Sequence, residues 1–268
     1  MPTPTATPVT ASEYQGILDK VDRDMAAALT ALGQASSQVA LGTAGRDLQL
    51  ILFADLTKLR AVVPPEPIRV AHQNFVAGLS RLSIDASGAV VEPCGGPATL
   101  TAIANGSGAA ALRAASTELS TADPDRSYRA GAFLPAASAV TRPTTGTVLK
   151  KPATAALGRL TIKNEASVDT VLSIAPPDAT TATLLVYLRG GEDYTLNGIP
   201  NGSYKLYVAS GRDWISGAQS FTHGCTYSSS SDVLTFKSTR TQHHDWQITL
   251  SSANGDPGGT LDSGSFPR

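Results

Sequence analysis

The chain has 268 residues, 16% of them charged, with a formal net charge of -1. That balance excludes a basic phosphate-tracking surface, so the reading carries no nucleic-acid partner. No apolar run reaches the roughly 18 residues a membrane-spanning helix needs, so no transmembrane segment is expected.

The first segment, residues 1–12, "MPTPTATPVTAS", is a Thr/Pro-rich leader expected to be disordered. It has neither a basic nor an apolar signal region, so no signal segment is present in this chain. It reads as the spacer that follows one in exported proteins. Residues 13–135 read as a four-helix-type bundle. Tyr14, Leu18, Val21, Met25, Ala28 and Leu32 recur at steps of four and three, with Ser12 ahead as the N-cap. Leu48, Ile51, Leu52, Leu59 and Val62 mark a second helix, ended by Pro64, Pro65 and Pro67. A third carries Ile68, Ala71, Phe75, Leu79 and Leu82, and a fourth Ala110, Leu112, Ala115 and Leu119. His72 flanks the third stripe without a Glu-x-x-His partner, which suits a satisfied core histidine better than a bundle metal ligand.

Residues 136–156 have no periodicity and a Pro/Thr/Ala/Ser composition, so they read as a linker. From 157 to 252 the pattern alternates. "GRLTIKNE", "TVLSIA", "TATLLVYLRG", "SYKLYV", "DVLTFKS" and "HHDWQITLS" are short strands between turn residues. They indicate an antiparallel β-sandwich, with residues 253–268 as a C-terminal tail. The fold class is therefore α+β in two domains. "YTLNGIPNGSYKLYV", Tyr194 to Val208, reads as a β-hairpin turned at Asn201-Gly202. It resembles the strand–turn–strand core of carboxypeptidase-regulatory-like, or prealbumin-like, sandwich domains. The stretch that follows it looks like C-terminal domains of uncharacterised exported actinobacterial proteins. The resemblance implies a sandwich fold, export and a surface role, and no chemistry, since sandwiches host many functions.

No catalytic residue and no cofactor is assigned. Gly106-Ser107-Gly108 lacks the nucleophile-elbow pattern. His223, His243 and Asp245 are the one set with metal-ligand chemistry, without a supporting spacing. His244 is in phase with Trp246, Ile248 and Leu250, which points Trp246 to the core. Both tryptophans and five of the seven tyrosines follow residue 180. Trp214, Tyr207 and Tyr227 are the candidate ligand contacts, with Trp214 placed in a loop. Cys94 and Cys225 lie one in each half, either as a disulfide or as two buried thiols. Paired, they would close a loop of about 130 residues, worth about 4 to 5 kcal/mol by chain entropy. The expectation is a non-enzymatic extracellular or cell-surface binding or structural protein, its partner a protein or glycan, with self-association open. The alternatives are a carbohydrate-binding accessory module and a metal-binding protein or hydrolase.

Overall fold

The computed structural model describes residues 7–152, 156–239, 242, 245–251 and 259–268. The chain divides into two compact units, Met1–Ser138 and Ala139–Arg268. The first is helical and the second is built of strands, which is the α+β layout.

The helical unit contains α1 (Ala11–Gly33), α2 (Gln38–Ala61), α3 (Arg69–Val90), α4 (Gly96–Asn105) and α5 (Ser107–Thr121). Helix α1 begins two residues earlier than the sequence indicates, and its cap is Thr10 rather than Ser12. The Thr10 hydroxyl accepts from the Glu13 amide while the Glu13 carboxylate accepts from the Thr10 amide, a reciprocal capping box. The predicted stripe of α1 is buried from Tyr14 to Leu32. The expected fourth helix is α5, and an additional helix, α4, precedes it, the two separated at Gly106. No side chain from its own cap closes α5. The Asp85 carboxylate of α3 accepts from the Gly108 amide instead, at 2.7 Å, a negative charge where the helix dipole favours one. Helices α3 and α5 pack closely because glycines face backbone. A Cβ on Gly108 would lie 2.3 Å from the Leu82 nitrogen, and one on Gly78 would lie 2.9 Å from the Leu112 Cα.

His72 is buried, and its Nδ1 lies 2.8 Å from the Tyr14 hydroxyl, as expected of a satisfied core histidine. Burial lowers its pKa below the ordinary 6.5, against a backbone hydrogen bond at Leu59 that acts the other way. Buried Asp55 moves oppositely, since burial and the Asp24 charge raise its carboxyl. The fold thus favours neutral His72. As pH drops below 6.5 the unfolded chain binds the proton first, and stability falls until the folded imidazole also titrates. Wild type should therefore lose bundle stability between pH 7 and pH 5 relative to His72→Gln. Urea melts at both values read the difference, which isolates His72 from Asp55. Parallel pH responses in the two proteins would contradict it.

The strand unit forms two sheets. One has the order β1-β4-β3-β6-β7, from β1 (Thr147–Lys150), β4 (Leu184–Leu188), β3 (Asp169–Ala175), β6 (Gly202–Ile215) and β7 (Ser220–Phe236). The other has the order β5-β2-β8, from β5 (Tyr194–Ile199), β2 (Gly158–Asn164) and β8 (Asp245–Leu250). Leu160, Ile162, Leu172, Ile174, Val186, Leu196, Leu206 and Phe236 share the core between them, as in a sandwich. All pairs are antiparallel except β2 with β8, which run parallel.

The stretch Tyr194–Val208 is not a hairpin. β5 pairs with β2 in one sheet, and β6 pairs with β3 and β7 in the other. The Asn201 carboxamide bonds both ways with the Ser238 backbone, at 3.0 and 2.7 Å. It thereby ties the crossing to the end of β7. Ile199 and Tyr204 are both buried, so the segment between them arches over the core edge. The long hairpin is β6–β7, turned at Ser216–Gln219.

Two segments read as linker and tail belong to the sandwich. Within 136–156, β1 pairs with β4, and Thr141 bridges to Trp214. The tail lies along β7: the Ser229 amide donates to the Gly259 carbonyl and the Leu261 amide to the Tyr227 carbonyl. This covers backbone that an edge strand leaves open. Phe266 is buried beside Tyr227, and the Ser173 hydroxyl donates to the Pro267 carbonyl.

Candidate functional site

A cleft of about 420 Å³ opens on the five-stranded sheet where three segments converge. Val140, Thr141 and Arg142 form one wall, Ser167, Val168 and Asp169 another, and Gly211 to Trp214 the third. The Thr141 amide donates to the Trp214 carbonyl at 2.8 Å, which fixes the first wall against the end of β6.

Asp169 organises the charged side. Arg142 donates to it through Nε and an NH2 proton at 2.8 and 2.9 Å, Tyr187 through its hydroxyl at 2.6 Å, and Gly190 through its amide at 3.0 Å. Burial pushes the Asp169 carboxyl up, but these bonds together outweigh it and hold the pKa at about 2. The same burial and the Asp169 charge push the Tyr187 phenol up. Asp169 is therefore a fixed anion at neutral pH, unsuited to shuttling a proton.

Across the cleft, a bulge between Ser210 and Arg212 bends β6. Asp213 sits at φ 58°, a left-handed conformation that aspartate tolerates better than most residues. Its carboxylate lies 3.0 Å from Nδ1 of His223, and the Thr222 hydroxyl lies 3.1 Å from the same nitrogen. The Arg212 side chain is exposed and has no hydrogen-bond or ion-pair partner among the described residues.

No family model, curated protein or solved structure matches this chain. The candidate site rests on its geometry alone.

The three aromatic contacts expected from the sequence are all core residues. Trp214 is 2% exposed, Tyr207 7% and Tyr227 5%. Trp214 ends β6 rather than lying in a loop, edge-on to Phe221 and Tyr187 with centroids 5.0 and 5.6 Å apart. Alternation does place Tyr207 opposite Tyr204, but the opposite face is covered as well. Phe266 of the tail packs beside Tyr227, and Thr141 is held against the Trp214 backbone. Trp246 is corrected in the other direction. It is 38% exposed, and its Nε1 donates to the Thr235 carbonyl at the sandwich edge.

Of the proposed metal set, His223 on β7 faces Asp213 on β6, whereas Asp245 is on β8 of the other sheet, 3.7 Å from Arg159. His243 lies outside the described residues, as does His244. No group of three or more His, Cys, Asp or Glu side chains suited to a metal occurs among the described residues. Cys94 and Cys225 are buried, and neither is a free thiol.

Sequence reasoning does not single out Arg142, Asp169 or Arg212. Arg142 fell in the supposed linker. The available signal was "GRDW", two charges ahead of a tryptophan at the end of an alternating run.

A second concavity, a groove of about 470 Å³, lies on α2 and α3 around Gly42, Gly45, Leu50 and Val90. Val39, Leu50, Phe53, Ile84 and Val91 are exposed on these helices or at their ends.

Proposed function

We propose that the chain is a non-enzymatic binding protein of the extracellular space or cell surface. The sandwich presents the Arg142–Asp169–Arg212 cleft, and the helical unit serves as spacer or assembly element. One observation carries the reading. The cleft's central carboxylate is fully committed to four donors, so its charged wall is rigid before any ligand arrives. Preorganised polar groups favour binding because little ordering is left to do. The absence of a free thiol supports an oxidising home, and pairing of Cys94 with Cys225 belongs to the same proposal. The carbohydrate-module reading is the weaker one, because the aromatics it relied on for stacking are buried.

Ser167 is exposed at the cleft, and a bulky side chain there fills the space without changing charge. Ser167→Trp should abolish capture of extracellular protein or glycan ligands on an array while leaving the melting curve unchanged. Wild-type binding by the plugged variant would refute the cleft as the binding site.

A further inference from the structure

The unspent hydrogen-bonding groups of the cleft are mainly donors. Arg142 uses Nε and one NH2 proton on Asp169, and its NH1 makes no bond among the described residues. All of the Arg212 guanidinium is uncommitted, and it lines the same cleft. The acceptors are largely used. Asp169 receives four hydrogen bonds, and one Asp213 oxygen faces His223. A ligand that completes this set must bring acceptors.

The two guanidiniums also differ in a useful way. Arg142 is held flat against a carboxylate by two parallel bonds, so its remaining edge has a fixed direction. Arg212 follows the bulge of β6 and precedes Asp213, whose positive φ sets the local chain direction. The formal charges of Arg142, Arg212, Asp169 and Asp213 cancel, so discrimination comes from directed N–H groups rather than from net field. Guanidinium matches carboxylate and phosphate oxygens in spacing and direction, which a neutral amide or alcohol does not reproduce.

We propose that the cleft is an oxyanion site, in which Arg212, assisted by the outer edge of Arg142, binds a carboxylate or phosphate group of the ligand. This rests on the cleft being the binding site and adds the chemical class of what it holds. Planar carboxylate and tetrahedral phosphate share this chemistry, and the test separates them.

The full chain is titrated by NMR with acetate, inorganic phosphate and neutral acetamide, with ionic strength held by sodium chloride. Acetate or phosphate should give saturable shifts at the amides of residues 211–214, and acetamide should not. Whichever of the two binds more tightly identifies the planar or the tetrahedral source. Arg212→Gln should weaken the association about tenfold, as expected for losing a charge-assisted bond. Arg159→Gln, on the other sheet, should leave it unchanged. Equal shifts from acetamide, no saturable shift from either anion, or an unaltered affinity in a folded Arg212→Gln would overturn the oxyanion assignment. If the anions fail while Ser167→Trp still blocks ligand capture, the cleft reading stands without it. If Ser167→Trp has no effect, the cleft reading itself fails.

Discussion

Trp214→Ala should lower the stability of the sandwich by about 3 to 5 kcal/mol, the range for emptying the site of a large buried aromatic. Its ring packs edge-on to both Phe221 and Tyr187, and its carbonyl anchors Thr141. Truncation would therefore loosen one wall of the cleft together with the core beneath it. Trp214→Phe should behave quite differently. The indole Nε1 is buried with no hydrogen-bond partner among the described residues, and a buried orphan donor costs about 1 to 3 kcal/mol. Phenylalanine removes that donor while keeping most of the ring, so its melt should stay within about 1 kcal/mol of wild type. Urea unfolding followed by near-ultraviolet circular dichroism compares the two. An alanine variant as stable as wild type would show that Trp214 is not part of the core.

Gly108→Val should be the most damaging single change in the helical unit. The added Cβ would meet the Leu82 backbone at 2.3 and 2.6 Å, and backbone cannot swing aside as a side chain does. Separating α3 from α5 would also stretch the Asp85 bond that caps α5. Overpacking costs about 1 to 3 kcal/mol where neighbours can adjust, and here they cannot, so a loss of about 3 kcal/mol or more is expected. Gly88→Ala, on the facing helix α3, is the control. Nothing lies within 4 Å of its Cβ position, and exchanging an exposed helical glycine for alanine should stabilise by about 0.5 to 1 kcal/mol. Equal melting temperatures for the two variants would rule out the close α3–α5 approach.

These contrasts show which parts of the molecule were legible in the sequence. The stripe from Tyr14 to Leu32 could be read because one face of α1 is buried and the other is wet, so periodicity encodes burial. The cap of α5 could not, because it comes from Asp85 on another helix. Strand alternation located β2, where buried and open positions take turns. It misled on the five-stranded sheet, whose β4 is buried at every position. The run "LLVYL" carried that message, since five apolar residues in succession suit a strand covered on both faces. Covering came from segments whose composition reads as linker and tail, and composition does not report where a chain lies. The crossing at Asn201 was invisible for a related reason. A strand–turn–strand pattern specifies two strands but not whether they share a sheet. The cleft escaped because its charged residues are far apart in sequence, and only β3, β6 and the 140–142 segment together make them neighbours.

The parallel pairing of β2 with β8 sets the order in which the sandwich can be completed. Leu160 opposes Trp246, and β3 to β7 lie between them in the chain. Such non-local pairing folds slowly, because the loop must close before its contacts repay the lost entropy. During synthesis β2 finds β5 early but waits for its other neighbour until the residues of β8 emerge. Until then the β2 edge, with Leu160 and Ile162 in its sequence, is open to pairing with other chains. The yield of the folded unit should therefore fall as protein concentration during refolding rises.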